Sequence, residues 1–228
     1  ELDQARQAIG EVLAEKGGSL PQARGWPAVV GLAALTRTAD PTVLETDALY
    51  EFFASELYND ASPDIQNAVL ILAAGGDASA AVAKRLLGSD HLSLVASAVR
   101  HGFAAHDPGR EVSIHPLLRG FLIGRLRELP DDQLKTLVET VTQELIAAEH
   151  WDDCLKTLTH FPDARLVVAA LAAALPSLLD QGRVATVEEW IELAERCGSE
   201  DEATIWLARA ELALRDGRGQ DARTLGEH

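Results

Sequence analysis

A similar stretch of sequence occurs three times in the second half of the chain. The copies read EHWDDCLKTL from Glu149, QGRVATVEEWIEL from Gln181 and DGRGQDARTL from Asp216. Each copy follows an apolar helical pattern, continues through a polar turn and opens another helix. The repetition predicts consecutive pairs of helices joined by short turns over residues 130–228.

The spacing of the copies indicates the class of repeat. Trp151 and Arg183 are 32 residues apart, and Arg183 and Arg218 are 35 apart. A period of about 34 residues is typical of tetratricopeptide-type helical hairpins, and an irregular α-bundle is the alternative. Because two and a half such units are marginally stable alone, we expect the array to continue beyond His228.

Residues 61–129 show a different order of elements. A helix opens at Pro63 and closes at Gly75–Gly76, and two shorter helices follow in ASAAVAKRLLG and DHLSLVASAVRHG. The stretch FAAHDPGREVSIH then predicts a β-hairpin, and a helix begins at Pro116. Three helices, a hairpin and a helix form the winged-helix order. The third helix has only Arg100 as a fixed cation, so we expect it to serve packing rather than DNA reading.

The first 60 residues predict three further helices, in LDQARQAIGEVLAEKGG, after Pro27, and in TDALYEFFASELYND. The predicted fold class is therefore mainly α, in three parts. These are a helical subdomain at 1–60, a winged-helix domain with a small β-hairpin at 61–129, and helical hairpin repeats at 130–228.

Composition limits the classes of partner. The formal net charge is −16, with 11 basic and 16 acidic residues in 1–129 and 9 basic and 20 acidic residues in 130–228. Neither part offers the basic surface that nucleic-acid binding requires. No apolar run is long enough to span a bilayer, and the first residues do not resemble a signal peptide. Cys154 and Cys197 are interpreted as reduced thiols, and a cytoplasmic location is expected.

Catalytic motifs are missing from the sequence. It contains no G-x-x-x-x-G-K-[ST], no G-x-S-x-G and no H-E-x-x-H, and its seven histidines form no metal-binding pair. We therefore expect no enzymatic activity from this chain and no metal site. It starts at Glu1 and contains no methionine, which we interpret as a sign that it is a piece of a longer protein.

Two short motifs carry a resemblance to a known family. They are RGWPAVVGLAAL at 24–35 and SIHPLLRGFL at 113–122. In this order, they resemble the MalT-like branch of the signal-transduction ATPases with numerous domains (STAND), the large LuxR-type transcriptional regulators. The resemblance implies that residues 1–60 are the lid behind a P-loop ATPase core. It also implies that the winged helix, a helical linker and the first tetratricopeptide-like repeats follow.

The resemblance implies two nucleotide contacts, both dependent on the ATPase core upstream. The family's G-x-P motif matches Gly25, Trp26 and Pro27, and its proline packs beside the adenine. The histidine before proline in its winged helix matches His115 and points at the β-phosphate of ADP in the resting state. From the residues alone, both motifs are also explained as helix starts, since proline is favoured in a first helical turn.

The function implied is that of a regulatory fragment of an ATP-dependent transcriptional regulator. ADP or ATP binds the longer protein, and none is expected on the fragment alone. The expected partners are the ATPase core in cis, a protein or small-molecule inducer on the repeats, and further copies on activation. The alternative is a stand-alone helical scaffold for protein interactions. A DNA-binding winged helix is disfavoured by the acidic charge.

Overall fold

The computed structural model describes residues 54–55, 57–76, 80–107, 110–114, 116–199 and 202–226. This part of the chain is mainly helical, as predicted. Residues 54, 55 and 57–60 are helical, and a 3-10 turn covers Gly88–Asp90. The remaining elements are α1 (Pro63–Ala74), α2 (Ala80–Leu87), α3 (His91–Arg100), β1 (Ala105–Asp107), β2 (Arg110–Ser113), α4 (Pro116–Arg127), α5 (Asp131–Ala147), α6 (Trp151–His160), α7 (Ala164–Asp180), α8 (Val184–Arg196), α9 (Ala203–Arg215) and α10 (Gly219–Leu225).

The chain divides into two compact units. One contains the described residues up to Ala73 together with Leu87–Glu128, and the other contains Ala74–Leu86 and the residues from Leu129 onward. Helix α1 therefore begins in the first unit and ends in the second.

Local sequence signals explain the elements of the first unit. Pro63 and Pro116 occupy the first positions of α1 and α4, where a missing backbone N–H costs little. β1 and β2 pair antiparallel, with Ala105 opposite Ser113. Val112 and Ile114 lie on one side of the alternating pattern, and both are buried. The large side chains buried in this unit include Val69, Leu72, Phe103, Leu118, Leu122 and Leu126.

An aromatic cluster joins α4 to the helical residues before α1 in the first unit. The rings of Tyr58 and Phe121 meet edge to face, with centroids 6.0 Å apart. The Arg125 guanidinium lies 5.7 Å from the Tyr58 ring centroid and 5.4 Å from that of Phe121. It also donates to Ser55 Oγ and pairs with Glu128. Burial raises the pKa of the Tyr58 hydroxyl, so the ring packs in its neutral form.

The helices α5 to α10 form three successive pairs, α5–α6, α7–α8 and α9–α10. We call them the first, second and third pair. The two helices of each pair are joined by a three-residue turn, at 148–150, 181–183 and 216–218. The core of this unit is rich in leucine and alanine, and the Trp190 side chain is fully buried in it. Asp163 caps α7 by accepting from the backbone N–H groups of Arg165 and Leu166.

Candidate interaction site

The four residues predicted to contact nucleotide lie outside the described part of the chain. Gly25, Trp26 and Pro27 belong to the first 53 residues, and His115 falls between Ile114 and the start of α4 at Pro116. Their predicted roles are therefore not tested by the structure. The candidate site considered next lies in the second unit, around the turns of the helical pairs and the end of α1.

The turns of the three pairs share one backbone geometry. Glu149, Gly182 and Gly217 have positive φ angles of 56°, 69° and 74°, spaced 33 and 35 residues apart. The next N–H in each turn bonds back to a carbonyl five residues earlier, over 2.8 to 2.9 Å. This is the Schellman arrangement, in which a left-handed residue ends one helix. The repetition seen in the sequence is therefore also a repetition of backbone conformation.

A basic residue follows the left-handed residue in every turn. His150, Arg183 and Arg218 occupy this position, and each faces an oxygen three residues later in the chain. His150 Nδ1 lies 3.6 Å from Asp153 Oδ2, and the guanidinium of Arg183 donates to Thr186 Oγ1 over 3.1 Å. Arg218 lies 3.4 Å from Asp221 Oδ2. These basic residues therefore lie at the same place in each helical pair, in the turn between its two helices.

Two ion pairs connect neighbouring pairs of helices. Arg183, in the turn of the second pair, pairs with Asp152 at the start of α6. Arg209 on α9 pairs with Glu195 on α8, and its guanidinium lies 5.4 Å from the Trp206 ring centroid. Arg218 instead pairs with Asp216 and Asp221 in its own pair. Both ion pairs are partly exposed, so they fix the alignment of neighbouring helical pairs more than they add to the free energy of unfolding.

The most specific long-range contact of this unit joins the end of α1 to α6. Thr157, buried on α6, has its hydroxyl 2.6 Å from the Ala74 carbonyl and 2.8 Å from the Asp153 carbonyl. The shorter of these two contacts is to a carbonyl at the end of α1, where helices leave carbonyls without a helical partner. A residue of the helical pairs thus caps a helix that is 83 positions away in sequence.

Gly76 fits this contact because it has no side chain. Its φ is +77°, and a Cβ atom there would lie 2.5 Å from Asp153 Oδ1. The backbone after α1 thus approaches the Asp153 carboxylate more closely than any other residue type allows. We call residues 74–76, with Asp153 and Thr157, the α1–α6 junction.

The Asp153 carboxylate is buried beside two basic side chains. Its Oδ1 lies 3.4 Å from Lys156 Nζ, and its Oδ2 lies 3.6 Å from His150 Nδ1. The α6 N-terminus adds the favourable dipole for a negative charge in its first turn.

Cys154, next to this carboxylate, is not a reactive thiol. Its side chain is buried, and burial followed by the neighbouring Asp153 charge raises its pKa to about 12. The thiolate is the nucleophilic form, and at neutral pH it is hardly populated at such a pKa. Cys154 therefore packs as a small apolar residue.

Two open clefts of about 240 Å³ each border α6. One lies at the turn of the first pair and reaches Arg183, and the other lies between α6 and α8. Both have mixed charge, which suits contact with polar partners better than the binding of an apolar ligand. The second cleft is lined by Leu155, Lys156, Thr159, His160, Glu189, Glu192 and Arg196.

The sequence signals found the turns but not the junction. Gly75–Gly76 was interpreted only as a helix stop, because the partner of Gly76 lies 77 positions further along the chain. Asp153 and Thr157 resemble ordinary polar residues of an amphipathic helix. One signal was available in the sequence. Asp153 and Thr157 directly precede the apolar residues Cys154 and Leu158, so they share the helix face that is expected to pack inward.

Among the described residues, no group of three His, Cys, Asp or Glu side chains is arranged to hold a metal ion. Within the same ranges, no helix is long and apolar enough to cross a membrane. Comparison of the chain with models of protein families, with curated proteins and with solved structures found no match.

Proposed function

We propose that this chain is a regulatory segment of an ATP-dependent transcriptional regulator of the STAND class. The segment couples the nucleotide state of an attached ATPase core, and the binding of an inducer or partner, to activation. The proposal rests on the motifs at Gly25–Pro27 and His115, in the chain order that resembles MalT-like regulators. The segment itself is proposed to be non-enzymatic, and the protein to act in the cytoplasm.

The α1–α6 junction is the observation that carries the coupling. A regulator of this kind has to relate inducer binding to the part of the chain that senses nucleotide, and the junction lies wholly within the second unit. Thr157 and Asp153 hold the end of α1, and α1 continues into the unit that contains β1, β2 and α4. In this proposal, a shift of α6 on inducer binding acts on the last residue of α1, Ala74. Such a shift changes the populations of a resting and an active form.

The proposed winged helix has no DNA-reading role. On α3, Leu92 is exposed, and Arg100 is held by a hydrogen bond to Ser97 Oγ of the same helix. We propose that His115, which directly precedes α4 in the sequence, contacts the β-phosphate of ADP in the resting form. A γ-phosphate crowds that contact, so exchange of ADP for ATP releases the winged helix. Pro27, with Gly25 and Trp26, packs beside the adenine.

The test is transcription by the longer regulator carrying His115→Ala. We expect activity without inducer, because the resting form loses its contact to ADP. His101→Ala is the matched control, since His101 directly follows α3 and its Nδ1 lies 2.8 Å from the nearby Ser97 carbonyl. Activity that still requires inducer in the His115 variant would contradict the proposed role.

The alternative is a stand-alone helical scaffold that binds a protein partner. The three pairs with one turn geometry and the charged cleft between α6 and α8 favour it. The coding sequence before Glu1 distinguishes the regulator from the scaffold. A G-x-x-x-x-G-K-[ST] motif after an apolar strand supports the regulator, and its absence supports the scaffold.

A further inference from the structure

The cleft between α6 and α8 is lined by charged side chains from both helices. Lys156 and His160 lie on the α6 side, and Glu189, Glu192 and Arg196 lie on the α8 side. Within the part of the chain that the structure describes, the three α8 side chains make no hydrogen bond and no ion pair. Their charges are therefore available to a binding partner.

The size of the cleft favours a polypeptide segment over a free small molecule. Its volume is about 240 Å³ and it is open to solvent, whereas pockets that enclose small ligands measure about 300–1,000 Å³. Such a cleft does not surround a small molecule, but it can take the side chains of a segment that lies along α8. The buried Leu155 provides an apolar part of the lining.

The charges on α8 specify the order of charges in that segment. Glu192 and Arg196 are four residues apart, which is about 6 Å along the helix axis. Side chains two residues apart in an extended chain point to the same side and are about 6.6 Å apart. A basic residue placed two positions from an acidic residue therefore matches Glu192 and Arg196 at the same time. Glu189, one turn before Glu192, adds a second carboxylate for the basic residue.

A segment with a different charge pattern binds less well. It would place like charges opposite each other, or would cover the α8 charges without giving them partners, and both cost free energy. The charge pattern thus gives the cleft its specificity.

We propose that the cleft between α6 and α8 binds an extended segment of a protein partner, in which basic and acidic side chains alternate at every second residue. Glu189 and Glu192 take the basic side chain, and Arg196 takes the acidic one. Lys156 on the opposite side can donate to the backbone carbonyls of the segment. The inference rests on the proposed function only in that the helical pairs bind a partner, and it involves neither nucleotide nor His115.

The test is a titration of the 228-residue chain into a short fluorescent peptide of repeated Lys-Thr-Glu-Thr units with blocked ends, followed by anisotropy. Threonine favours the extended conformation. The peptide has no net charge, so the net charge of −16 on the chain does not attract it as a whole. We expect saturable binding. A peptide that does not bind would overturn the inference and would leave the test of His115 unaffected.

Two matched variants locate the binding site. We expect Glu192→Lys to weaken peptide binding at least about tenfold, because a like charge then faces the basic side chain. Glu188→Lys is the control, since Glu188 is exposed on the same helix, does not line the cleft and changes the net charge equally. It leaves the affinity unchanged. Equal weakening by the two variants would show that binding senses only overall charge, and would overturn the inference.

A double variant separates charge complementarity from a change of fold. Combining Glu192→Lys with Arg196→Glu restores the net charge and presents the same two charges in the opposite order. The alternating peptide matches this order after a shift of two residues, so we expect an affinity within about threefold of the unmodified chain. A double variant that binds as weakly as Glu192→Lys alone would contradict the proposed recognition. Both positions are exposed, so far-UV circular dichroism is expected to be the same for every variant.

Discussion

At the scale of single residues, the α1–α6 junction depends on one glycine and one hydroxyl. Gly76 combines a positive φ with the close approach of Asp153, so two independent constraints act on one position. The hydroxyl of Thr157 reaches a carbonyl that belongs to another helix. Replacing Gly76 or Thr157 therefore measures how much the contact between α1 and α6 contributes to the free energy of unfolding.

We expect Gly76→Ala to lower the free energy of unfolding by about 3 kcal/mol, more than a positive φ alone costs. The added Cβ would lie 2.5 Å from Asp153 Oδ1, so the turn or α6 must move. Gly182→Ala is the control, with a φ of +69° and nothing within 4 Å of its Cβ position. It loses about 1 kcal/mol from φ strain. Urea denaturation followed by circular dichroism measures both, and equal losses would contradict the close approach.

We expect Thr157→Val to lower the free energy of unfolding by about 1–3 kcal/mol, because the buried Ala74 carbonyl loses its donor while side-chain volume is kept. Thr159→Val serves as the control. Thr159 Oγ1 donates over 2.8 Å to the Leu155 carbonyl, within α6. Its replacement costs less than about 0.5 kcal/mol, since exposed substitutions have small effects. The bond to α1 would be unimportant if the two valine variants unfolded at the same urea concentration.

At the scale of elements, the helices and turns follow from local sequence, and the contacts between them do not. The starts of α1 at Pro63 and α4 at Pro116 were predictable because proline restricts the backbone on its own. The turns at Gly182 and Gly217 were predictable because a glycine after an apolar helical pattern is a local signal that the helix ends. The equivalent turn at Glu149 is different, since glutamate does not favour a positive φ. Only its place in the repeat indicates that it ends a helix.

The turn of the first pair is strained by this residue. We expect Glu149→Gly to raise the free energy of unfolding by about 0.5–1 kcal/mol, because glycine adopts a φ of 56° without a Cβ penalty. The neighbouring Ala148 has a φ of −98°, so Ala148→Gly gains nothing in the folded state. It lowers the free energy of unfolding by about 0.5–1 kcal/mol through the entropy of the unfolded chain. Thermal unfolding of both variants checks the opposite signs, and a loss in the Glu149 variant would contradict them.

At the scale of the whole molecule, the two compact units are not two consecutive stretches of the sequence. Residues 74–86 belong with the helical pairs, although residues on both sides of them belong to the other unit. The contact between Thr157 and Ala74, together with the Arg85–Glu144 ion pair, explains this division. Both contacts join residues far apart in sequence, so no local pattern could predict them. The predicted nucleotide residues, by contrast, came only from family resemblance, and their roles remain predictions.

The proposed regulator is tested most directly by its affinity for ADP. The polypeptide that joins this chain to an ATPase core would be titrated with ADP by calorimetry, as unmodified protein and as His115→Ala. The proposed phosphate contact predicts that the variant binds ADP about tenfold more weakly, the effect of losing one hydrogen bond of about 1.4 kcal/mol to a charged group. ATP affinity changes less, because a γ-phosphate already excludes the contact. Equal ADP affinities for the two proteins would contradict the proposed role of His115 and leave the helical scaffold as the better description.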